Sequence, residues 1–96
     1  MTVHACILAN VESGRALEAA APLRAMPSVG LVVATTGPHD LCILAQAADP
    51  VALGHTIIRD YQTIPGMTET LTLLVLEALE PVNWMAHLLA PTPAAP

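Results

Sequence analysis

Ninety-six residues make one small domain with a single core, and the net charge of −5 leaves only three scattered basic residues, Arg15, Arg24 and Arg59. No basic patch can be drawn from them, so direct nucleic-acid binding and an anionic membrane surface are both excluded as expectations. Apolar types fill 54% of the chain against 11% charged, more than a domain of this size can hide alone, so self-association is expected to bury the rest.

Phe is absent, and the core must be built from Ala, Val, Leu, Ile and Met. The first apolar run has no basic stretch before it and breaks at Asn10, so neither a signal peptide nor a membrane span is expected. Cys6 and Cys42 have no C-x-x-C spacing and read as buried free thiols in a reducing cytosol.

In chain order, "TVHACILANV" reads as a strand with Val3, Ala5, Ile7 and Ala9 on one face and His4, Cys6, Leu8 and Asn10 on the other. "ESGRALEAAAPLRAM" reads as a helix capped by Ser13, with Leu17, Ala20, Ala21 and Leu23 as its apolar stripe. Pro22 is expected to kink or break it. "SVGLVVATT" and "HDLCILAQA" are the next strands, joined by "TGP" as a hairpin. "DPVALGHTIIRDYQTI" is the second helix, with Asp49 as N-cap, Pro50 first, and Leu53, Ile57, Tyr61 and Ile64 inward. "MTETLTLLVLEAL" is the last strand, with Thr68, Thr70 and Thr72 alternating against Met67, Glu69 and Leu71. Residues 1–80 form the domain; residues 81–96, around Trp84, form a tail that is expected to be partly disordered.

"LRAMPSVG" and "YQTIPGMT" share a pattern thirty-eight residues apart. The order is therefore strand-helix-strand twice. That predicts an α+β, ferredoxin-like βαββαβ sandwich: four antiparallel strands, the first and third central, with two helices on one face. The other face has no cover in this chain, so a second copy is expected there.

"TTGPHDL" is the one place where a His, an Asp, a Gly and two hydroxyls crowd together. Strand alternation sends His39 and Asp40 to opposite faces, and Ser13 and Ser28 are better used elsewhere, so a hydrolytic triad is not expected. His4, His39, His55 and His87 lack ligand spacing, so neither metal nor cofactor is expected. One glycine leading into a strand does not make a phosphate loop. A turn remains, whose amides and carboxylate also suit a zwitterion: Asp40 for an ammonium, loop N–H groups for a carboxylate.

The motifs "MPSVGLVVATTGPHDLCILAQA", "DPVALGHTIIRDYQTIPGM" and "TETLTLLVLE" together resemble the effector-binding and assembly (RAM) domain of the Lrp/AsnC family, over roughly residues 2–77. The resemblance implies face-to-face dimers that assemble further, to tetramers or octamers. It also implies a small effector, commonly an amino acid, held in clefts between dimers. Thr36, Gly37, His39 and Asp40 fall on its loop motif, and Thr70 and Thr72 on its last-strand motif. A Tyr is common where His39 stands; the histidine would make binding pH-sensitive near neutrality. The family's regulators carry a helix-turn-helix before this domain, and no such segment is expected in this sequence.

The expected function is thus that of a non-catalytic, cytoplasmic effector-binding and oligomerisation domain of a transcriptional regulator, stand-alone or a fragment. The alternatives are a small dimeric α+β barrel enzyme of monooxygenase or isomerase type, and a purely structural assembly module. The enzyme would need a polar pocket between sheet and helices, where the sequence places Ala, Leu and Ile.

Overall fold

In the computed structural model, which describes residues 2–77, strand β1 (Val3–Val11) obeys the alternation read from its sequence. Ala5, Ile7 and Ala9 are buried, while Cys6, Leu8 and Asn10 are half-buried on the opposite side. Helix α1 (Ala16–Arg24), strands β2 (Val29–Ala34) and β3 (Leu41–Ala47), helix α2 (Pro50–Thr56) and strand β4 (Met67–Leu74) follow. The sheet order is β2-β3-β1-β4, antiparallel throughout, so β1 and β3 are the central pair. This is the expected ferredoxin-like arrangement.

The core is the layer between this sheet and the helices. Ile7, Leu41 and Ile43 from the central strands meet Ala19 and Leu23 of α1, and Leu53, Ile57, Tyr61 and Ile64 from the second helical segment. No polar or charged residue is buried in this layer among the described residues. Fully burying a Leu or Ile side chain contributes about 1.5–3 kcal/mol, so this apolar layer carries most of the stability.

Three local expectations change. Ser13 does not cap α1; the position before the helix is Arg15, with no side-chain cap bond. The chain instead turns back at Glu12–Arg15, with the Arg15 N–H donating to the Glu12 carbonyl at 3.0 Å and Gly14 at φ +81°. Arg15 then pairs with Glu12 (3.1 Å) and Glu18 (2.8 Å), which tie the start of the helix from outside. The inward stripe is Ala16, Ala19, Ala20 and Leu23; Leu17 is 80% exposed and Ala21 also faces out. Pro22 does not break the helix, which passes through it and ends at Arg24. The proline sits in the last turn, where few intrahelical bonds remain to be lost.

The second helix keeps its predicted cap. Asp49 Oδ1 accepts from the Ala52 N–H at 2.8 Å, and Pro50 is the first residue. After Thr56, however, the helix widens into a π-turn over Ile57–Tyr61, closed by Gln62 N–H to the Ile57 carbonyl at 2.9 Å. The apolar spacing explains this. Leu53, Ile57 and Tyr61 recur every four residues, which overshoots an α-turn of about 3.6 residues. The wider turn brings Tyr61 back over the sheet.

The sequence repeat is structural. Met26 N–H donates to the Leu23 carbonyl and Val29 N–H to the Met26 carbonyl, both at 3.1 Å. In the second copy, Ile64 N–H donates to the Tyr61 carbonyl (3.2 Å) and Met67 N–H to the Ile64 carbonyl (3.0 Å). The same turn thus feeds β2 and β4. Ser28 Oγ and Tyr61 OH, 2.6 Å apart, join the two halves directly.

Among the described residues nothing covers the other side of the sheet. Register puts Leu31, Val33, Cys42, Leu44, Cys6, Leu8, Leu71 and Leu73 on it, a continuous apolar surface crossing all four strands. Leu71 and Leu73 are half exposed. The last strand ends at Leu74, with one further backbone bond from Val75 N–H to the His4 carbonyl at 2.9 Å. The predicted strand end at Leu79, the domain limit at 80, the tail around Trp84 and His87 lie outside the described residues.

Candidate functional site

The loop between β2 and β3 is longer than the predicted three-residue turn. β2 ends at Ala34 and β3 starts at Leu41, leaving six residues, so His39 and Asp40 precede the strand rather than open it. The Thr35 N–H donates to the Asp40 carbonyl at 2.9 Å and closes the loop at its base. Thr35 Oγ1 donates to the His39 carbonyl at 2.8 Å and draws the two arms together. Gly37 stands at φ +103°, a conformation that side chains with a Cβ rarely adopt, and a Cβ there would meet nothing within 4 Å. The glycine is therefore required by the backbone alone.

Asp40 and His39 fasten the loop to the end of β1. The Asp40 N–H donates to the Ala9 carbonyl at 2.9 Å, continuing the β1–β3 ladder. Its carboxylate Oδ2 accepts from the Val11 N–H at 2.9 Å. This N–H lies where the β1–β4 register slips between Asn10 and Val11, so the carboxylate pairs a donor freed by a bulge. His39 Nδ1 lies 2.8 Å from Asn10 Oδ1, on the open side of the sheet. The two side chains go to different partners and form no His–Asp couple, although neither residue lies in the strand that the alternation argument assumed. Thr36 and Gly37 are exposed above this frame.

Thr70 and Thr72 lie across β1 from the loop. Thr70 pairs with Ala9 and Thr72 with Ile7, so both share the helix side of the sheet. Thr70 is half-buried and its Oγ1 accepts from Gln62 Nε2 at 3.1 Å, while Thr72 is exposed. Thr68 Oγ1 donates to the Asn10 carbonyl at 3.1 Å. His39 and Asp40 are thus brought together with Asn10 and Val11, and no hydrogen bond links Thr70 or Thr72 to the loop among the described residues. Sequence reasoning passed over Asn10, Thr68 and Gln62. The signal for Asn10 was available: a lone amide ending an otherwise apolar strand.

Besides Arg15 and Glu18, whose ion pair raises the one and lowers the other, two ionisable groups have displaced equilibria. Burial raises the Tyr61 hydroxyl above its ordinary range, partly offset by its hydrogen bond with Ser28. Burial also raises the Cys42 thiol, and the neighbouring Cys6 adds to it. No group of three or more His, Cys, Asp or Glu residues is placed to hold a metal ion among the described residues. A surface groove of about 400 Å³ runs between α1 and the edge strand β2, lined by Leu17, Ala20, Arg24 and Leu31 among others. It is an edge feature, and the space between sheet and helices is filled by the apolar core.

An antiparallel sheet in the order β2-β3-β1-β4, with two helices on one face and a Gly–Asp loop fastened to its central strand, defines a ferredoxin-like α+β domain. The family model of the Lrp/AsnC ligand binding domain matches residues 4–85, and the chain belongs to that family. Escherichia coli AsnC is similar in structure (TM-score 0.77, 29% identity), the match covering 81% of this chain and 53% of that one. A transcriptional regulator of Neisseria meningitidis, solved as a complex with L-Met, is also similar (TM-score 0.75, 25% identity), covering 81% of this chain and 52% of that one. A protein of Thermus thermophilus matches over 81% of this chain and 98% of its own (TM-score 0.76, 26% identity). The chain therefore spans about half the length of the first two and nearly all of the third. No curated protein sequence matches it. None of the described helices is long and apolar enough to cross a membrane.

Proposed function

We propose that this chain is a cytoplasmic regulatory module that binds a small effector, most simply an amino acid, at the β2–β3 loop, and reads the binding out through its assembly. The observation that carries this reading is the loop's construction. Asp40 spends one oxygen on the Val11 N–H and keeps Oδ1 without a hydrogen-bond partner among the described residues. A carboxylate so anchored suits an ammonium, and the exposed Thr36–Gly37 backbone and hydroxyl suit a carboxylate. His39, held by Asn10 on the open side of the sheet, forms its wall, whereas Thr70 and Thr72 face the helix side. The Neisseria regulator's complex with L-Met supports an amino acid as the ligand class.

The module carries no catalysis and makes no direct contact with DNA. Two copies close over the apolar sheet face, and effector binding shifts the balance between ways of packing these dimers. Any DNA-binding partner is coupled through that balance.

The test is a thermal-shift screen of the proteinogenic amino acids alongside native mass measurement. The reading expects at least one amino acid to raise the midpoint and change the assembly. A flat screen at constant mass would leave only an assembly module.

A further inference from the structure

His39 brings to the proposed site a chemistry that its other members lack. The residue is half-buried, and its Nδ1 lies 2.8 Å from Asn10 Oδ1. A carboxamide oxygen can only accept a hydrogen bond. The proton of the neutral ring therefore sits on Nδ1, and Nε2 keeps a lone pair. Asn10 is itself held in place. It pairs with Glu69 of β4, and its main-chain carbonyl accepts from Thr68 Oγ1 at 3.1 Å. The end of a central strand thus sets the tautomer of a loop histidine.

Nε2 is open to solvent. It has no hydrogen-bond partner among the described residues. None of their side-chain nitrogens or oxygens is both buried and unpaired, so this nitrogen must be reached from outside. The same reasoning applies to Asp40 Oδ1, whose companion oxygen is spent on the Val11 N–H. Two consecutive residues therefore offer acceptors of different kinds, one charged and one neutral.

In the proposed site Asp40 takes an ammonium and the Thr36–Gly37 segment takes a carboxylate. Those are the ends common to every amino acid, which leaves His39 for the part that varies. A neutral lone pair suits a side chain that donates a hydrogen bond, a hydroxyl or a carboxamide. An aliphatic side chain would strip water from Nε2 and put no bond in its place. An acidic side chain would bring a second negative charge beside Asp40. We infer that His39, its tautomer fixed by Asn10, selects among amino acids for a neutral side chain that donates a hydrogen bond. The inference rests on the amino-acid site proposed for this loop and adds what that site discriminates. Asn10 is a positioning residue, because it acts through the imidazole.

Calorimetric titration of the full chain at about pH 8, where an ordinary imidazole is neutral, tests the selection with two pairs of similar shape, Thr against Val and Gln against Met. The donor should bind about tenfold more tightly in at least one pair, and in neither pair should the order reverse. In His39→Phe, which keeps an aromatic wall without the nitrogen, that ratio should fall to about one; Asn10→Leu, which frees the tautomer, should lower it as well. Nitrogen-15 NMR of the histidine-labelled chain reads the tautomer with no ligand and no variant fold to maintain, and should find the proton of His39 on Nδ1. A proton on Nε2, equal affinities within both pairs in the wild type, or a ratio that survives in His39→Phe would overturn the inference. An Nδ1–H tautomer with no amino acid bound at all would instead remove the site itself, and the selection with it.

Discussion

In the proposed reading Asp40 does two jobs, and its substitutions should separate them. Its Oδ2 holds the Val11 N–H at the β1 bulge, so Asp40→Ala leaves a half-buried donor unpaired. We expect a loss of about 1–3 kcal/mol in urea unfolding. Asp40→Asn keeps an acceptor oxygen for Val11 and should recover most of that loss while failing to restore the amino-acid thermal shift, because the charge facing the ammonium is gone. If Asn restores effector binding as well as stability, the carboxylate is structural only. Tyr61 gives a second residue-scale prediction. Burial raises its ionisation above the ordinary tyrosine range, so the folded state holds the neutral phenol. Its contribution is therefore intact below about pH 10, the unfolded value, and lost as pH rises through the folded one. Unfolding midpoints measured from pH 8 to 11 should fall steeply in the wild type and less steeply in Tyr61→Phe. Near neutrality the same variant should cost about 1 kcal/mol, from the lost contact with Ser28.

At the scale of elements, period and capping residues made most of the fold legible. β1 alternates faithfully because it is paired on both sides and one face is filled. Asp49–Pro50 marked the start of α2 because a short acid at the cap and a proline at the first helical position are both favoured there. Ser13 misled because a serine ahead of a helical pattern looks the same whether it caps the helix or sits in the turn before it; the Arg15 ion pairs that decide the matter involve both flanks. The π-turn was implicit in the four-residue spacing, but only the fixed position of the sheet makes drift costly. In the site, the loop was legible from Gly37 and Asp40, whereas its attachment was not. The partners Asn10 and Val11 are twenty-nine residues away, and no local pattern announces them. Gly37→Ala tests the loop as a unit. At φ +103° a Cβ brings backbone strain without a clash, and a loss of about 1–3 kcal/mol is expected in chemical denaturation. No measurable loss would show the loop to be freely adaptable.

The whole molecule is governed by its excess of apolar surface. The composition demanded a partner, and the open face with Leu8, Leu31, Val33, Leu44, Leu71 and Leu73 shows where the excess lies. Cys6 and Cys42 report on that face. Leu8 pairs with Cys42 and Cys6 with Leu44, so both thiols belong to the surface a second copy would cover. Thiol-reagent kinetics should be slow in the wild type and at least several-fold faster in Leu8→Asp, with Cys42 reacting more as pH rises through its elevated range. Equal rates in both would place the thiols outside the contact. The central claim joins this assembly to the loop: an amino acid bound at Asp40 changes how the copies pack. Its most direct test is native mass spectrometry of the wild type and Asp40→Asn, titrated with the amino acid that gives the largest thermal shift. The account predicts a ligand-dependent change in assembly in the wild type and none in Asp40→Asn. The same change in both proteins would contradict it.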